Sequence, residues 1–124
     1  MARRTEKVTG LGPLESKIME LVWAARKPLT VRDILERLNA DRSPQLAYTT
    51  VMTVMNRLVG KDVLRRTRQG RGYAYEATAV DPAALAVRNV MRDFGDAAMA
   101  QFVEEAKGDP RALRRLRRLL DAEP

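Results

Sequence analysis

The stretch from Leu46 to Tyr75 reads LAYTTVMTVMNRLVGKDVLRRTRQGRGYAY and joins a helical pattern directly to a basic hairpin. Its first half has the apolar spacing of a helix with one buried face: Val51, Val54, Met55, Leu58 and Val59. Its second half predicts two short strands, Val63-Leu64 and Tyr73–Glu76, around the turn Gln69–Gly72, where glycine permits a positive φ. A helix followed by a basic hairpin is the arrangement with which winged helix-turn-helix proteins bind DNA.

The residues before this stretch predict two more helices. Gly12-Pro13 begins the first helix, and Arg26-Lys27-Pro28 ends it with cations and a proline. Thr30 is a suitable N-cap for the second helix, and Asp33 stands where a capping box has its acidic residue. Leu29, between the two helices, predicts a short strand. The third helix is expected to start near Leu46. The predicted order is helix, helix, helix, strand, strand.

The rest of the chain predicts an all-helical region. Asp81-Pro82 begins a helix, and Gly95 and Gly108-Asp109-Pro110 separate two more. Three short amphipathic helices are too small to bury their apolar faces alone, so we expect them to pack against a second copy; docking onto the preceding domain is the alternative. The candidate dimerisation residues are Leu85, Val90, Met91, Phe94, Phe102, Leu116 and Leu120.

The predicted fold class is therefore α+β and mostly helical: a winged helix-turn-helix DNA-binding domain followed by a small three-helix dimerisation domain. Residues 1–10 are expected to form a flexible basic arm, residues 11–79 the winged helix domain, and residues 80–124 the helical dimerisation domain.

Composition restricts the chemistry of the 124-residue chain. It has no cysteine and no histidine, which excludes disulfides, thiolate nucleophiles, Cys/His zinc sites and imidazole catalysis. Its carboxylates are scattered, so the sequence predicts no catalytic residues, no metal, no cofactor and no enzyme. No apolar run approaches the roughly 18 residues of a membrane span. We expect a soluble, cytoplasmic protein without a membrane partner.

The net charge of +7 is distributed unevenly. Residues 1–79 contain 15 Lys/Arg against 8 Asp/Glu, whereas residues 80–124 contain 8 of each. A high pI can merely aid solubility, but a polyanionic partner accounts better for this asymmetry, because neutralised phosphates release counterions and supply non-specific affinity. The charge distribution favours a nucleic-acid partner for the first part of the chain.

Short polar side chains lie outside the buried stripe of the third helix. Thr49, Thr50 and Thr53 can hydrogen-bond base edges or phosphates, and Met52 can contact thymine methyls. In the hairpin, Arg65, Arg66, Arg68 and Arg71 cluster around the turn, where a wing can reach phosphates or the minor groove. The alternatives are ordinary N-capping for the threonines and a solvated edge strand for the arginines. The candidate DNA-binding residues are Thr49, Thr50, Met52, Thr53, Arg57, Arg71, Tyr48, Arg32 and Arg68, with Arg3-Arg4 of the arm as further phosphate contacts.

Two tyrosines of the second strand bear on a further alternative. Tyr73 and Tyr75 share one strand face and are expected to pack in the core or sheet. Single-stranded RNA binding needs exposed aromatic platforms, so this expectation disfavours it. The remaining alternative is a winged-helix interaction module that binds an acidic partner protein.

The chain resembles the BlaI/MecI family of winged-helix transcriptional repressors. The similarity lies in LGPLESKIMELVW, TVRDILERL and AYTTVMTVMNRL of the three helices, and in the wing pattern G-R-x-Y-x-Y formed by Gly70, Arg71, Tyr73 and Tyr75. It covers most of residues 11–76. The resemblance implies a homodimer that binds palindromic operators with TACA/TGTA half-sites and controls β-lactamase or other stress and antibiotic-response genes. It also implies an inducing protease or sensor protein as a partner.

The sequence departs from the family pattern at two points, and its lack of cysteine excludes one branch of the family. Gly60-Lys61-Asp62 replaces a Lys-Lys-Gly ending of the third helix, so either Gly60 caps the helix or Asp62 adopts a left-handed conformation. Well-studied members are cleaved at an Asn-Phe bond, and the nearest counterpart here, the candidate cleavage site, is Gln101-Phe102. Copper-responsive relatives carry a cysteine cluster, which this chain lacks.

Overall fold

The computed structural model describes residues 2–122 of the chain. Within this range the backbone forms helices and one antiparallel hairpin, so the mostly helical α+β fold is confirmed. The elements in chain order are α1 (Ala2–Thr9), α2 (Pro13–Ala25), α3 (Val31–Asn39), α4 (Tyr48–Gly60), β1 (Leu64–Gln69), β2 (Gly72–Ala77), α5 (Pro82–Phe94), α6 (Asp96–Lys107) and α7 (Pro110–Asp121).

The first turn of α3 is stabilised by a reciprocal capping box, as the sequence predicts. The Asp33 backbone N–H donates to Thr30 Oγ1 at 3.1 Å, and the Thr30 N–H donates to Asp33 Oδ2 at 3.0 Å. The Thr30 N–H bond lowers the pKa of Asp33 most strongly, and the Thr30 hydroxyl, Arg37 and Lys27 lower it further against an opposing effect of burial. Two backbone N–H groups that the helix itself leaves unpaired are thereby satisfied.

Helix α4 begins at Tyr48 rather than near Leu46 because Asn39 holds Leu46 in the preceding loop. Asn39 Oδ1 accepts from the Leu46 N–H at 2.8 Å, and Asn39 Nδ2 donates to the Leu46 carbonyl at 3.0 Å. With both backbone groups bonded to one side chain, Leu46 is part of the loop between α3 and α4. At the other end of α4, Asp62 adopts φ 61°, which is the left-handed conformation expected as the alternative to a cap at Gly60.

Strands β1 and β2 form a hairpin with a two-residue loop, and we call residues 64–77 the wing. Gln69 pairs with Gly72 and Leu64 with Ala77. Gly70 has φ 60°, and a glycine at the first central position suits a tight hairpin turn. Leu29 bridges to Tyr75, with N–H···O distances of 2.9 and 2.8 Å, so the predicted short strand at Leu29 exists as an isolated bridge.

The core of the first unit lies between α2, α3, α4 and the base of the wing. The predicted stripe of α4 is buried at Val51, Val54, Met55 and Leu58. The fully buried residues from the other elements that pack with this stripe are Ile18, Met19, Leu29, Ile34, Leu64 and Leu85. This packing leaves the opposite face of α4 in solvent.

Residues 2–9 differ from the flexible arm that the sequence predicted. They form α1, which packs against α2 and ends at Gly10, whose N–H donates to the Glu6 carbonyl at 2.9 Å. Thr9 is buried, which ties the end of the helix to the domain. Arg4 is exposed on α1, while the side chain of Arg3, the other candidate phosphate contact, lies outside the described residues.

The chain divides into two compact units, residues up to Ala86 and residues from Val87 onward, rather than after residue 79 as predicted. The reason is Leu85, which is 0% exposed and belongs to the core of the first unit. The predicted role of Leu85 in dimerisation is therefore wrong, because a side chain without exposed surface cannot contact a second copy. The helices that the sequence predicted at Pro82, after Gly95 and after Gly108-Asp109 are present as α5, α6 and α7.

Candidate nucleic-acid interface

The outer face of α4 is formed by Thr49, Thr53 and Asn56, which are exposed and follow the i, i+4, i+7 spacing of one helix face. Thr50 and Arg57 are exposed beside this face. Met52 is half-buried and packs against the hydrophobic core, so the thymine-contacting role predicted for it is limited to the part of its side chain that stays in solvent. The face is thus chiefly a polar surface of hydroxyl and amide groups.

Arg32 of α3 and Tyr48 at the start of α4 come together beside this face. The Arg32 guanidinium carbon lies 5.9 Å from the centroid of the Tyr48 ring, within the range of a cation–π contact. Both side chains are exposed. Two of the predicted site residues, from different helices, therefore form a cation–π pair at the start of α4.

The pairing register separates the arginines of β1 onto two faces of the wing. Arg65 is opposite Glu76, and its Nη2 lies 3.0 Å from Glu76 Oε1. Arg66 is opposite Tyr75 and Arg68 is opposite Tyr73, on the face that also carries buried Leu64. Arg65 is therefore neutralised on the far face, while Arg66 and Arg68 lie on the face that meets α4.

Asn56 connects this wing face to α4. Its Oδ1 accepts from Arg66 Nη1 at 3.3 Å and from the Tyr75 hydroxyl at 3.4 Å. Both distances are at the long end for hydrogen bonds, so the contact orients the groups more than it stabilises the fold. The outer face of α4 and the arginine face of the wing consequently form one continuous surface.

Tyr73 departs from the prediction that both tyrosines pack inside. Tyr75 is buried, but Tyr73 is 39% exposed, and its ring has the guanidinium carbons of Arg66 and Arg68 at 4.7 and 6.0 Å from its centroid. The reason is its place toward the hairpin tip, beyond the part of the sheet that α4 and Leu29 cover. Arg71 is exposed in the turn itself.

From the sequence, Asn56 has no assigned role, and Arg66 is one of four wing arginines that can reach phosphates or the minor groove. The adjacent arginines Arg65 and Arg66 cannot be distinguished by composition, and only the strand register assigns them to opposite faces. The sequence did contain a signal for this assignment, the two-residue turn at Gly70-Arg71. The turn sets the strand register, and alternation of side chains along β1 then places Arg65 and Arg66 on opposite faces. The contact of Asn56 had no comparable signal, because it depends on how the wing packs against α4.

The second unit exposes much of its apolar surface. Phe94 is 67% and Leu120 is 75% exposed. An open apolar groove of about 240 Å³ is lined by Val90, Phe94, Ala97, Ala98, Gln101 and Phe102. Of the other predicted dimerisation residues, Met91 and Leu116 are half-buried.

The candidate cleavage site Gln101-Phe102 is exposed within α6, so a protease would reach an extended bond there only after that helix opened. No helix in residues 2–122 is long and apolar enough to cross a bilayer.

Comparison with known proteins identifies the family. The sequence model of the penicillinase repressor family matches residues 11–122, which span both units. The chain belongs to the penicillinase repressor family.

Relatives of this penicillinase repressor family member support the assignment. Over 127 residues the chain is 39% identical to the protein named transcriptional regulator BlaI of Mycobacterium tuberculosis, in two strains, covering 94% of this chain and 88% of the relative. It is 31% identical over 85 residues to an uncharacterized 16.5 kDa protein in the ptsI 3'region of Latilactobacillus sakei, covering 68% and 54% of the two chains.

A solved structure, of the Giardia lamblia Hop2-Mnd1 complex, aligns with a TM-score of 0.44 at 21% identity, covering 89% of this chain and 65% of the other. The family and its BlaI relatives make the chain a transcriptional repressor of the winged helix fold.

Proposed function

We propose that a homodimer of this chain acts in the cytoplasm as a sequence-specific repressor that binds a palindromic DNA operator. The outer face of α4 enters the major groove, where Thr49, Thr50, Thr53 and the exposed part of Met52 contact base edges. The wing lies along the backbone with Arg68 and Arg71 at phosphates. Arg57, Arg32 and Tyr48 contact the backbone beside the helix.

The observation that carries this proposal is the junction of α4 and the wing. Arg66 donates a hydrogen bond to Asn56 across the two elements, so the hydroxyl-bearing side chains of α4 share one surface with wing arginines that form no ion pair within residues 2–122. Threonines can hydrogen-bond both base edges and phosphates, and arginine is the usual phosphate partner. A surface with short polar groups at its centre and cations at its side has the chemistry of a groove-reading helix flanked by phosphate contacts.

The second unit supports the dimeric part of the proposal. It exposes the large apolar side chains of Phe94 and Leu120 and an apolar groove lined by Phe94 and Phe102. Grouped exposed apolar side chains of this kind are typical of protein–protein interfaces. A second copy that covers this surface supplies the symmetry of a palindromic operator, with half-sites about one helical turn apart. Loss of the dimer, by cleavage at Gln101-Phe102 by an inducing protease or by another signal, would leave single domains with few DNA contacts. β-lactamase or other antibiotic-response genes are the proposed targets.

Selection from a pool of random duplex DNA tests this function directly. The expected product is a palindromic consensus, because each protomer of a dimer selects the same half-site. A single non-repeated half-site would contradict the dimer, and enrichment without any consensus would contradict sequence-specific recognition. Failure to retain duplex DNA, together with tight binding to an acidic polypeptide, would favour the interaction-module alternative.

A further inference from the structure

We propose that Arg66 is a preset phosphate-binding residue of this surface and that Tyr73 and Asn56 are the residues that position it. The inference rests on the proposed function, since it names a contact that the DNA-binding surface makes. The sequence placed Arg66 among the wing arginines that can reach phosphates; the proposal adds how Tyr73 and Asn56 hold its guanidinium for that contact.

The Arg66 guanidinium is held on two sides. Its carbon lies 4.7 Å from the centroid of the Tyr73 ring, and its Nη1 donates to Asn56 Oδ1 at 3.3 Å. The ring makes a cation–π contact with the guanidinium, and the Asn56 amide oxygen accepts a hydrogen bond from one end of it. The guanidinium is thereby oriented before any ligand binds.

The remaining donors of Arg66 suit a phosphate. Arginine has five N–H donors in a planar fork, and among the described residues Arg66 uses only Nη1. The edge formed by Nε and Nη2 is left for a ligand, and these two parallel donors match two oxygens of one phosphate. A side chain that is already oriented also loses less conformational freedom on binding.

The local charge also favours an anion. Within residues 2–122 no carboxylate lies within ion-pair distance of Arg66 or Arg68, although Glu76 pairs with the neighbouring Arg65. Arg68 places a second positive charge against the same Tyr73 ring, with its guanidinium carbon 6.0 Å from the ring centroid. Two cations that have no carboxylate partner within the described residues favour an anion such as a phosphate.

Fluorescence anisotropy with two DNA probes tests this inference: the duplex recovered by random selection and a scrambled duplex of equal length. We expect Arg66→Ala to weaken binding to both duplexes about tenfold at low salt, and to reduce the slope of log affinity against log salt by about 0.9, the contribution of one phosphate. Arg65→Ala removes the same charge from the adjacent residue on the opposite face. It should weaken binding by less than about threefold and leave the slope nearly unchanged.

Tyr73 variants separate positioning from charge. Tyr73→Leu removes the ring without changing the net charge and should weaken DNA binding several-fold. Tyr73→Phe keeps the ring and should bind DNA like the wild type. Asn56→Ala should cause a smaller loss, because the ring still supports the cation. Thermal unfolding of each variant identifies any that fails to fold. If Tyr73→Leu does not fold, Arg66→Lys replaces it, because lysine keeps the charge but lacks the planar guanidinium fork, and its binding is compared with that of Tyr73→Phe.

Each outcome decides one proposal. If the wild type binds duplex DNA but Arg66→Ala and Arg65→Ala behave alike, the preset contact is overturned and the repressor function stands. If folded Tyr73→Leu or Arg66→Lys binds like the wild type, the positioning roles are overturned. If the wild type binds polyglutamate more tightly than either duplex at equal salt, both proposals fail.

Discussion

Lys61 and Glu15 join the end of helix α4 to the start of helix α2. Lys61 Nζ lies 3.1 and 3.0 Å from the two carboxylate oxygens of Glu15, and the carboxylate also accepts from the Gly12 N–H at 3.0 Å. Burial by itself would raise the pKa of Glu15, but the bond from Gly12, the contact with Lys61 and the charge of Arg57 together lower it below its ordinary value of 4.5. The pair therefore fixes one end of the helix that carries the proposed DNA-binding face.

We expect Lys61→Met to lower the free energy of unfolding by about 1–2 kcal/mol near neutral pH, since it leaves a nearly buried carboxylate without its cation, while the exposure of Lys61 screens part of the loss. The lowered pKa of Glu15 means that its stabilisation is complete above about pH 4.5 and is lost as pH falls through the folded-state pKa. Denaturant unfolding at several pH values should show the gap between wild type and variant closing under acid conditions.

Lys107→Met is the matched control for this substitution. Lys107 forms an exposed pair with Glu104 at 3.7 Å, which contributes little in solvent. Its unfolding curve should follow that of the wild type at every pH. A Lys61→Met gap that persists undiminished in acid would show that lost packing of the lysine stem, rather than the ion pair, explains the destabilisation.

Ser16 provides a second test of stability. Its side chain is fully buried in α2, and its Oγ has no hydrogen-bond partner within the described structure. Because a buried hydroxyl without a partner is costly, we expect Ser16→Ala to leave stability unchanged or raise it by up to about 1 kcal/mol. Thermal or denaturant unfolding measures this directly.

Thr30→Ala is the contrasting variant for Ser16→Ala. The Thr30 hydroxyl accepts from the Asp33 N–H, so its removal should destabilise the protein by about 1 kcal/mol, and Thr30→Ser should retain most of the cap. A loss for Ser16→Ala as large as that for Thr30→Ala would mean that the buried hydroxyl does have a partner in solution.

Substitution of Thr53 tests the proposed role of α4 in reading the DNA sequence. Thr53→Ala should weaken binding to the selected duplex by roughly 1–3 kcal/mol and leave binding to scrambled duplex almost intact, because a base contact carries sequence information and a phosphate contact does not. Thr50→Ala should behave in the same way. Anisotropy titrations with both duplexes measure the difference.

Thr67→Ala serves as the control, since Thr67 is exposed on the far face of the wing with Arg65. It should bind both duplexes like the wild type. Equal losses on the two duplexes for Thr53→Ala would remove this threonine from base recognition.

The apolar surface of the second unit predicts the oligomeric state. Phe94→Ser together with Leu120→Asp should convert a dimer into a monomer, because both exposed side chains would meet a second copy. Sedimentation of the full chain gives the mass, and circular dichroism checks that the helices persist.

Val80→Ser is the matched control for these changes. Val80 is 84% exposed but belongs to the first unit, so its replacement should leave the dimer intact. A wild-type chain that sediments as a monomer, or a double variant that remains dimeric, would contradict the assignment of this surface to a partner copy.

Local patterns accounted for much of the fold. The helical stripe of α4, the capping box at Thr30 and the turn at Gly70 depend on residues close together in sequence, so the pattern alone predicted them. The boundary of α4 could not be predicted in the same way, because Asn39 binds Leu46 from the preceding helix. The helix at residues 2–9 forms where α2 packs against it, a contact that a basic, polar sequence does not indicate.

By itself, the sequence determined which side of α4 faces solvent, since the spacing of Val51, Val54, Met55 and Leu58 leaves the threonines outside. It also determined that a basic hairpin follows that helix. Only the tertiary structure decided that Arg66 hydrogen-bonds to Asn56 while Arg65 pairs with Glu76, and that Leu85 is buried in the core of the first unit. Spacing along one element sets which residues share a face, whereas contacts between elements depend on how those faces pack.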